Sequence, residues 1–212
     1  GFYPEFTVED YLLYIGALKG IRPIVAKKRV KELIAKVGLS KVANKKMKKL
    51  SGGMKRRAGI AQAMLNNPKI LILDEPTAGL DPNERIRFRN LISELSEDRL
   101  VLLSTHIVSD IEYIANEILL MKDGKLMHKG TADEIINSMT ETVWECFVEK
   151  NMVSDFMKKY KISNMKSEAD GVILRIISHE KPFVNAQSVE ASLEDVFLYY
   201  FGEKAGDENA AI

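Results

Sequence analysis

The sequence predicts an α/β protein with a helical subdomain at its start and a small α+β appendage at its end. Two short unbroken apolar runs, Ile70–Leu73 and Leu100–Leu103, are typical of buried strands in a parallel sheet. Helical spacing dominates the chain before them, and two-residue alternation dominates the end. We therefore expect three parts: a helical subdomain over residues 1–66, an α/β core over 67–140 and an accessory region over 141–212.

Composition narrows the possible functions. The 212 residues carry 31 Lys and Arg against 30 Asp and Glu, so no overall field favours a nucleic-acid partner, and none is expected. The single cysteine, Cys146, excludes an intramolecular disulfide. No apolar run approaches the ~20 residues of a membrane span, and we therefore expect any membrane contact to come through a partner protein.

Helices account for the first 66 residues. Thr7 and Asp10 are typical of a capped helix start, and Gly20 and Pro23 interrupt the helical pattern before a second helix that Gly38 ends. The apolar stripes of the two helices are Val8, Tyr11, Leu12 and Ile15, and Val30, Leu33, Ile34 and Val37. No strand is expected in this part of the chain.

The next part predicts alternating strands and helices. The first apolar run is followed by Asp81-Pro82-Asn83-Glu84, a strong helix start with proline at the first helical position. A helix over Ile107–Ala115 follows the second run, and Asp123-Gly124 joins Ile118–Met121 to Lys125–His128 in a hairpin. We expect the two apolar runs to be buried on both faces and to belong, with the strand after them, to a doubly wound sheet.

The accessory region combines strands with capped helices. Thr131 with Glu134, and Ser192 with Asp195, indicate two helix starts, the second leading into a helix over Leu193–Phe201. Between them lie three expected strands: Thr142–Glu149, Lys161–Glu168 and Val172–Ile177. The last two are expected to pair across Asp170-Gly171.

Ser51-Gly52-Gly53 precedes the helical run Ala58–Leu65. A serine and two glycines at a helix start leave backbone N–H groups and the positive end of the helix dipole open to a phosphate. The simpler interpretation is a helix cap with a flexible entry, and the segment alone leaves both open.

Asp74 and Glu75 directly follow the first apolar run. Ligands of open parallel sheets bind beyond the carboxyl ends of the strands, and adjacent residues there point to different sides. Asp74 can therefore hold Mg²⁺, and Glu75 can orient and polarise an attacking water. A pair of acids that caps a turn is the alternative. Asp81 is credible as simply a helix cap, and His106, after the second run, is by itself more often structural.

Taken in order, these segments resemble the ABC ATPase family. Ser51-Gly52-Gly53 matches its signature motif, and Leu71–Glu75 matches Walker B with the catalytic glutamate. Gly79–Asp81 matches the D-loop, and His106 matches the switch histidine. The spacings also fit, with 23 residues from Ser51 to Asp74 and 32 more to His106. A weaker similarity, over Ser192–Phe197, is to the tail of the ATP-binding subunits of ABC-2-type exporters.

The resemblance implies a P-loop NTPase domain that binds ATP and Mg²⁺ and works as a head-to-tail homo- or heterodimer. It implies that Ser51, Gly52 and Gly53 meet the γ-phosphate of ATP held by the partner, and that Glu75 and His106 act on the nucleotide in cis. It places Asp74 on the metal and Asp81 in the D-loop. Docking on a transmembrane permease subunit is expected near Phe2–Leu18, at the cytoplasmic face of the membrane, although the aromatic residues there could equally belong to the core.

Two features depart from the family pattern. No G-x-x-x-x-G-K-[ST] occurs in the printed sequence, so we expect Walker A and the Q-loop glutamine upstream of Gly1, and we expect the isolated chain to be inactive. Met54 stands where the family commonly has glutamine, and many exporter-type members also have methionine there. The basic run Lys45–Arg57 is expected to be a solvated face, with attraction of phosphate or lipid headgroups as the alternative.

The leading hypothesis is an ATP-hydrolysing subunit of an exporter. One alternative is a non-transport ABC ATPase that works on DNA or ribosomes, although neither a long coiled coil nor a second cassette is present. The other is a non-catalytic regulatory ABC protein, against which the intact Asp74, Glu75 and His106 argue. The transported substrate is a property of the membrane subunit.

Overall fold

The computed structural model describes residues 2–202, which form two compact units that divide between Ile107 and Val108. Each unit is described by itself. Among residues 2–202, no helix has both the length and the apolar content needed to span a bilayer. The three-part division of the chain stays a prediction.

The first unit begins with three helices, α1 (Val8–Leu18), α2 (Pro23–Lys36) and α3 (Gly52–Met64), with 3₁₀ turns at Ser40–Val42 and Met47–Lys49. The side chain of Thr7 accepts a hydrogen bond from the backbone N–H of Asp10, as the sequence predicted. Six apolar side chains with 0–1% exposure form the core between these helices: Val8, Leu12, Val30, Leu39, Met47 and Leu65. Burying each contributes roughly 1.5–3 kcal/mol, so this core holds α3 firmly.

Strands β1 (Ile70–Asp74) and β2 (Leu100–Ser104) pair in parallel, and helix α4 (Pro82–Ser96) connects them. This strand–helix–strand unit agrees with the sequence prediction. The register sets Ile70 opposite Leu100 and Asp74 opposite Ser104. The carboxyl ends of both strands therefore lie side by side.

The prediction that both strands are buried on two faces is wrong for the described residues. Leu71 is 2% exposed, but Ile72, which points to the other face, is 69% exposed. Ile70, Leu100 and Leu102 are exposed as well. The residues of an apolar strand are buried on both faces only where other elements cover both faces of the sheet. Among the described residues, only one face of this sheet is covered.

The strand that follows does not extend this sheet, so the expected doubly wound arrangement is not formed by the described strands. After α5 (Val108–Ile114), β3 (Ile118–Lys122) pairs with β4 (Lys125–Gly130) in an antiparallel hairpin of the second unit. Asp123 and Gly124 in the turn both have positive φ, at 51° and 73°. That geometry suits a tight hairpin turn and confirms the predicted one.

A four-stranded antiparallel sheet, with order β6-β7-β5-β8, forms most of the second unit. Its strands are β5 (Thr142–Val148), β6 (Lys161–Ser167), β7 (Val172–Ser178) and β8 (Gln187–Val189), and its helices are α6 (Ala132–Asn137), α7 (Val153–Lys159) and α8 (Leu193–Phe201). The predicted pairing of β6 with β7 and the predicted bounds of α8 are confirmed. The sequence analysis missed α7 and β8, which are short and weakly patterned.

Candidate functional site

The carboxyl ends of β1 and β2 bring together three of the predicted site residues. Asp74 ends β1, and Glu75 follows it; Ser104 ends β2, and Thr105 and His106 follow. Because the strands are parallel and in register at Asp74 and Ser104, both strands end at the same edge of the sheet. This edge is where open α/β sheets bind ligands.

Asp74 presents an exposed carboxylate at this edge. Its Oδ1 accepts a hydrogen bond of 2.6 Å from the hydroxyl of Ser104. Hard oxygen donors of this kind fit Mg²⁺, which commonly takes one or two protein carboxylates together with water and phosphate oxygens. Among residues 2–202 no cluster of three or more His, Cys, Asp or Glu side chains could hold a metal. Binding of a metal by Asp74 stays a prediction.

The carboxylate of Glu75 is held from the side of β2. Its Oε1 lies 2.8 Å from His106 Nδ1 and accepts a hydrogen bond of 3.2 Å from the backbone N–H of His106. Its Oε2 accepts one of 3.3 Å from the hydroxyl of Thr105. The side chain keeps 38% of its surface exposed, which leaves room for a water beside a fixed carboxylate. The role of Glu75 as a general base stays a prediction.

The backbone of Glu75 is also unusual. Its φ of 41° lies in the left-handed region, which costs a residue other than glycine about 1–3 kcal/mol. Two hydrogen bonds hold this conformation: the Glu75 N–H donates to the carbonyl of Ser104 at 2.9 Å, and the Glu75 carbonyl accepts from Arg56 Nη1 at 2.6 Å. Such strained positions persist where the surroundings fix them, and they cluster at functional sites.

The prediction that the basic run is a solvated face holds for its exposed lysines at 45, 46, 48 and 49, but not for Arg56 and Arg57. Arg56 is half-buried and donates to the carbonyls of Glu75 and Ala78. Arg57 is 8% exposed, and its Nη2 lies 3.2 Å from the carboxylate of Glu84 on α4. The sequence spacing could have indicated the burial of Arg57, because Arg57 lies one helical turn after Gly53, on the buried side of α3. Nothing in the local pattern marked Arg56.

The predicted signature segment forms the start of α3. The hydroxyl of Ser51 accepts a hydrogen bond of 3.2 Å from the backbone N–H of Met54, so Ser51 is the N-cap. Ser51 and Gly52 are exposed, whereas Gly53 is buried beside Glu84. The cap and the open helix start therefore coexist, and Arg56 links this helix to Glu75. Contact of Ser51, Gly52 and Gly53 with a phosphate stays a prediction.

Asp81 begins α4 as its N-cap, where its Oδ1 accepts a hydrogen bond of 2.9 Å from the backbone N–H of Glu84. The loop before it turns at the exposed Gly79, which has a positive φ of 70°. The structure therefore accounts for Asp81 as a cap. Its role in a D-loop stays a prediction.

Comparison with known proteins identifies the family. A sequence model of the family described as "ABC transporter" matches residues 1–78. The chain is 33% identical over 219 residues to the bacitracin transport ATP-binding protein BcrA of Bacillus licheniformis, an overlap of 95% of this chain and 70% of that protein. It is 28% identical to the linearmycin resistance ATP-binding protein LnrL of Bacillus subtilis, over 97% and 73% of the two chains.

A third relative is an uncharacterised ABC transporter ATP-binding protein of Bacillus subtilis, YxlF, which is 35% identical over 71% of this chain. The chain spans about half of that relative, 51% of its length. With its mixed helices and strands, the structure is consistent with a P-loop ATPase fold. The chain belongs to the ABC transporter ATP-binding proteins, a family whose members are generally ATPases.

Proposed function

We propose that this protein is the ATP-hydrolysing subunit of a membrane exporter, with Glu75 as the residue that orients and activates the attacking water. The observation that carries the proposal is the pairing of Glu75 with His106, at 2.8 Å, at the carboxyl edge of the parallel strands. The names of two relatives, a bacitracin transport protein and a linearmycin resistance protein, favour a role in export.

In this proposal each residue at the edge has one task. Asp74 would hold Mg²⁺, which would supply positive charge beside the phosphates of ATP. Glu75 accepts a hydrogen bond from the attacking water and takes its proton, and the contacts from Thr105 and His106 keep its two oxygens in place for this. The exposed imidazole of His106, with 69% of its side chain accessible, faces solvent where a nucleotide can approach.

The start of α3 serves a second subunit in this proposal. Ser51 and Gly52 are exposed at the positive end of a 13-residue helix, which favours an approaching phosphate. A partner ATPase subunit would bring that phosphate, and Asp81 would lie at the same interface. Two such subunits would then share two nucleotides.

A permease subunit would dock at the aromatic residues on and just before α1, at the cytoplasmic face of the membrane. Tyr3 packs against Phe6 and Tyr14, with ring centroids 5.5 and 5.1 Å apart, and Phe2 packs against Tyr11 at 5.4 Å. Phe2, Tyr3 and Tyr14 remain 36–46% exposed. Partly exposed aromatic residues of this kind are enriched at protein interfaces, which supports the proposed docking.

The substitution Glu75→Gln in the full-length protein, assembled with its membrane subunit, tests the proposal. We expect the rate of ATP hydrolysis to fall at least about 100-fold, because glutamine cannot take the proton from water. ATP-bound dimers should still form, and size-exclusion chromatography with ATP measures them. Glu97→Gln, at an exposed position just after α4, is the matched control and should leave hydrolysis unchanged. Hydrolysis that survives Glu75→Gln would contradict the assignment of the base.

A further inference from the structure

We propose that Arg56 is a positioning residue that couples the start of α3 to the catalytic conformation of Glu75. This inference rests on the proposed function and adds a means of communication between two nucleotide sites. In that function the start of α3 meets the nucleotide held by a partner subunit, whereas Glu75 serves the nucleotide of its own subunit. Arg56 is the side chain that joins the two.

The guanidinium of Arg56 bridges two points of the loop after β1. Its Nη1 donates to the carbonyl of Glu75 at 2.6 Å, and its Nη2 donates to the carbonyl of Ala78. Both hydrogen bonds come from a charged donor, which strengthens them, and the planar guanidinium fixes their direction. The loop over residues 75–78 is therefore attached to α3 at both of its ends.

Glu75 needs such an attachment because its local sequence opposes its conformation. A residue before proline is driven towards extended backbone, and Pro76 follows Glu75 directly. Glu75 nevertheless has a φ of 41°. On the side of β2 it is held by Ser104 and by the contacts of its carboxylate, and on the side of α3 it is held by Arg56. Release of Arg56 would let the residue relax and turn its carboxylate away from the water.

Arg56 lies in the second turn of α3, so a shift of the helix start is passed on to it. The next residue, Arg57, ties the same turn to Glu84 at 3.2 Å and to the carbonyl of Val37 at 3.1 Å. These contacts keep Arg56 and the start of α3 in one fixed arrangement, so a phosphate bound at Ser51 would hold the Arg56 guanidinium in place. Nucleotide on the partner subunit would in this way set the geometry of the base.

The test uses Arg56→Met and Arg56→Lys in the full-length protein with its membrane subunit. We expect Arg56→Met to lower kcat for ATP roughly 10- to 100-fold, while KM changes by less than about twofold, because ATP binding is untouched. Arg56→Lys keeps the charge and can reach one carbonyl, so its kcat should be intermediate. Arg22→Met, which removes an exposed arginine just before α2, is the matched control and should retain kcat.

A double substitution shows whether Arg56 acts through Glu75. In single-turnover reactions, Arg56→Met should cause no further loss once Glu75→Gln is present. An additional loss of the same size as in the wild type would overturn the inference, and so would unchanged kcat in Arg56→Met. Hydrolysis that survives Glu75→Gln alone would instead overturn the proposed function. If Arg56→Met does not fold, the kcat of Arg56→Lys decides: a value equal to the wild type overturns the inference.

Discussion

Gly52 and Gly53 lie side by side at the start of α3, yet an added methyl group would meet different surroundings at each. A Cβ at Gly52 would have no atom within 4 Å. A Cβ at Gly53 would lie 2.5 Å from Glu84 Oε2, well inside contact distance. Glu84 is the partner of the buried Arg57, so it cannot move away without weakening that ion pair. Gly53 therefore has a structural reason to be glycine, whereas Gly52 has none in the described residues.

These surroundings predict opposite behaviour for two alanine variants. Gly53→Ala should lower the free energy of unfolding by about 1–3 kcal/mol, the usual cost of a core that is overpacked. Gly52→Ala should change it by less than about 0.5 kcal/mol, because the site is exposed and alanine favours a helix. Urea denaturation of the purified full-length protein measures both.

The same pair separates stability from function. Gly52→Ala should reduce ATP hydrolysis although the fold is intact, because a methyl group there obstructs the approach of a phosphate to the helix start. Full hydrolysis in Gly52→Ala would contradict a phosphate contact at this position. It would leave the capping role of Ser51 in place.

At the scale of elements, one buried carboxylate joins α8 to the sheet of the second unit. Asp195, in the first turn of α8, is 1% exposed and accepts hydrogen bonds from Arg175 on β7 at 2.8 Å and Ser163 on β6 at 2.6 Å. The backbone N–H and the hydroxyl of Ser192 also donate to it. Burial by itself raises the pKa of Asp195, but the hydrogen bonds from Arg175, Ser163 and Ser192 outweigh it and lower the pKa to about 2.

The lowered pKa predicts a loss of stability in acid. An aspartate with an ordinary pKa of 3.8 in the unfolded chain and about 2 in the folded chain stabilises the fold above pH 4. That contribution, roughly 2 kcal/mol, disappears as the pH falls from about 4 to 2. In Asp195→Asn, the free energy of unfolding should be lower at pH 7 and should change less over this range.

Urea denaturation at a series of pH values, with Asp170→Asn as the exposed control, measures the difference. Asp170 lies in the turn between β6 and β7, so its replacement should leave the slope of stability against pH as in the wild type. Equal slopes in Asp195→Asn and the wild type would show that the carboxylate of Asp195 does not titrate as described.

The starts of helices were the elements that sequence predicted best. Thr7, Ser51, Asp81, Thr131 and Ser192 each accept a hydrogen bond from the backbone three residues later, as the local sequence indicates. A cap depends on four consecutive residues, so no distant contact is needed to recognise it. The missed elements, α7 and β8, have 7 and 3 residues, and packing rather than local pattern stabilises such short segments.

For the whole chain, the printed sequence predicts weak nucleotide binding. It has no G-x-x-x-x-G-K-[ST] segment, whose backbone N–H groups and lysine hold the β- and γ-phosphates of ATP. We therefore expect the 212-residue chain to show no saturable binding of Mg-ATP below about 1 mM in calorimetry. A longer ABC ATP-binding subunit that carries the segment is the control. Micromolar affinity of the 212-residue chain would show that it holds the phosphates by other residues.

The sequence by itself determined which of the candidate residues lie at the edge of the sheet. Asp74, Glu75 and His106 could be chosen because each follows an apolar run, and the end of a run marks the end of a strand. Their order and spacing also sufficed to indicate the ABC family. These are properties of short segments, and local physics is enough to determine them.

Only the tertiary structure decided how those residues are held. The left-handed backbone of Glu75, the bridge from Arg56 and the burial of Arg57 join segments that are 19 to 31 residues apart. It also decided that Ile72 is exposed, although its segment has the composition of a buried strand. Both results depend on which surfaces meet in space, and a residue's neighbours along the chain do not determine that.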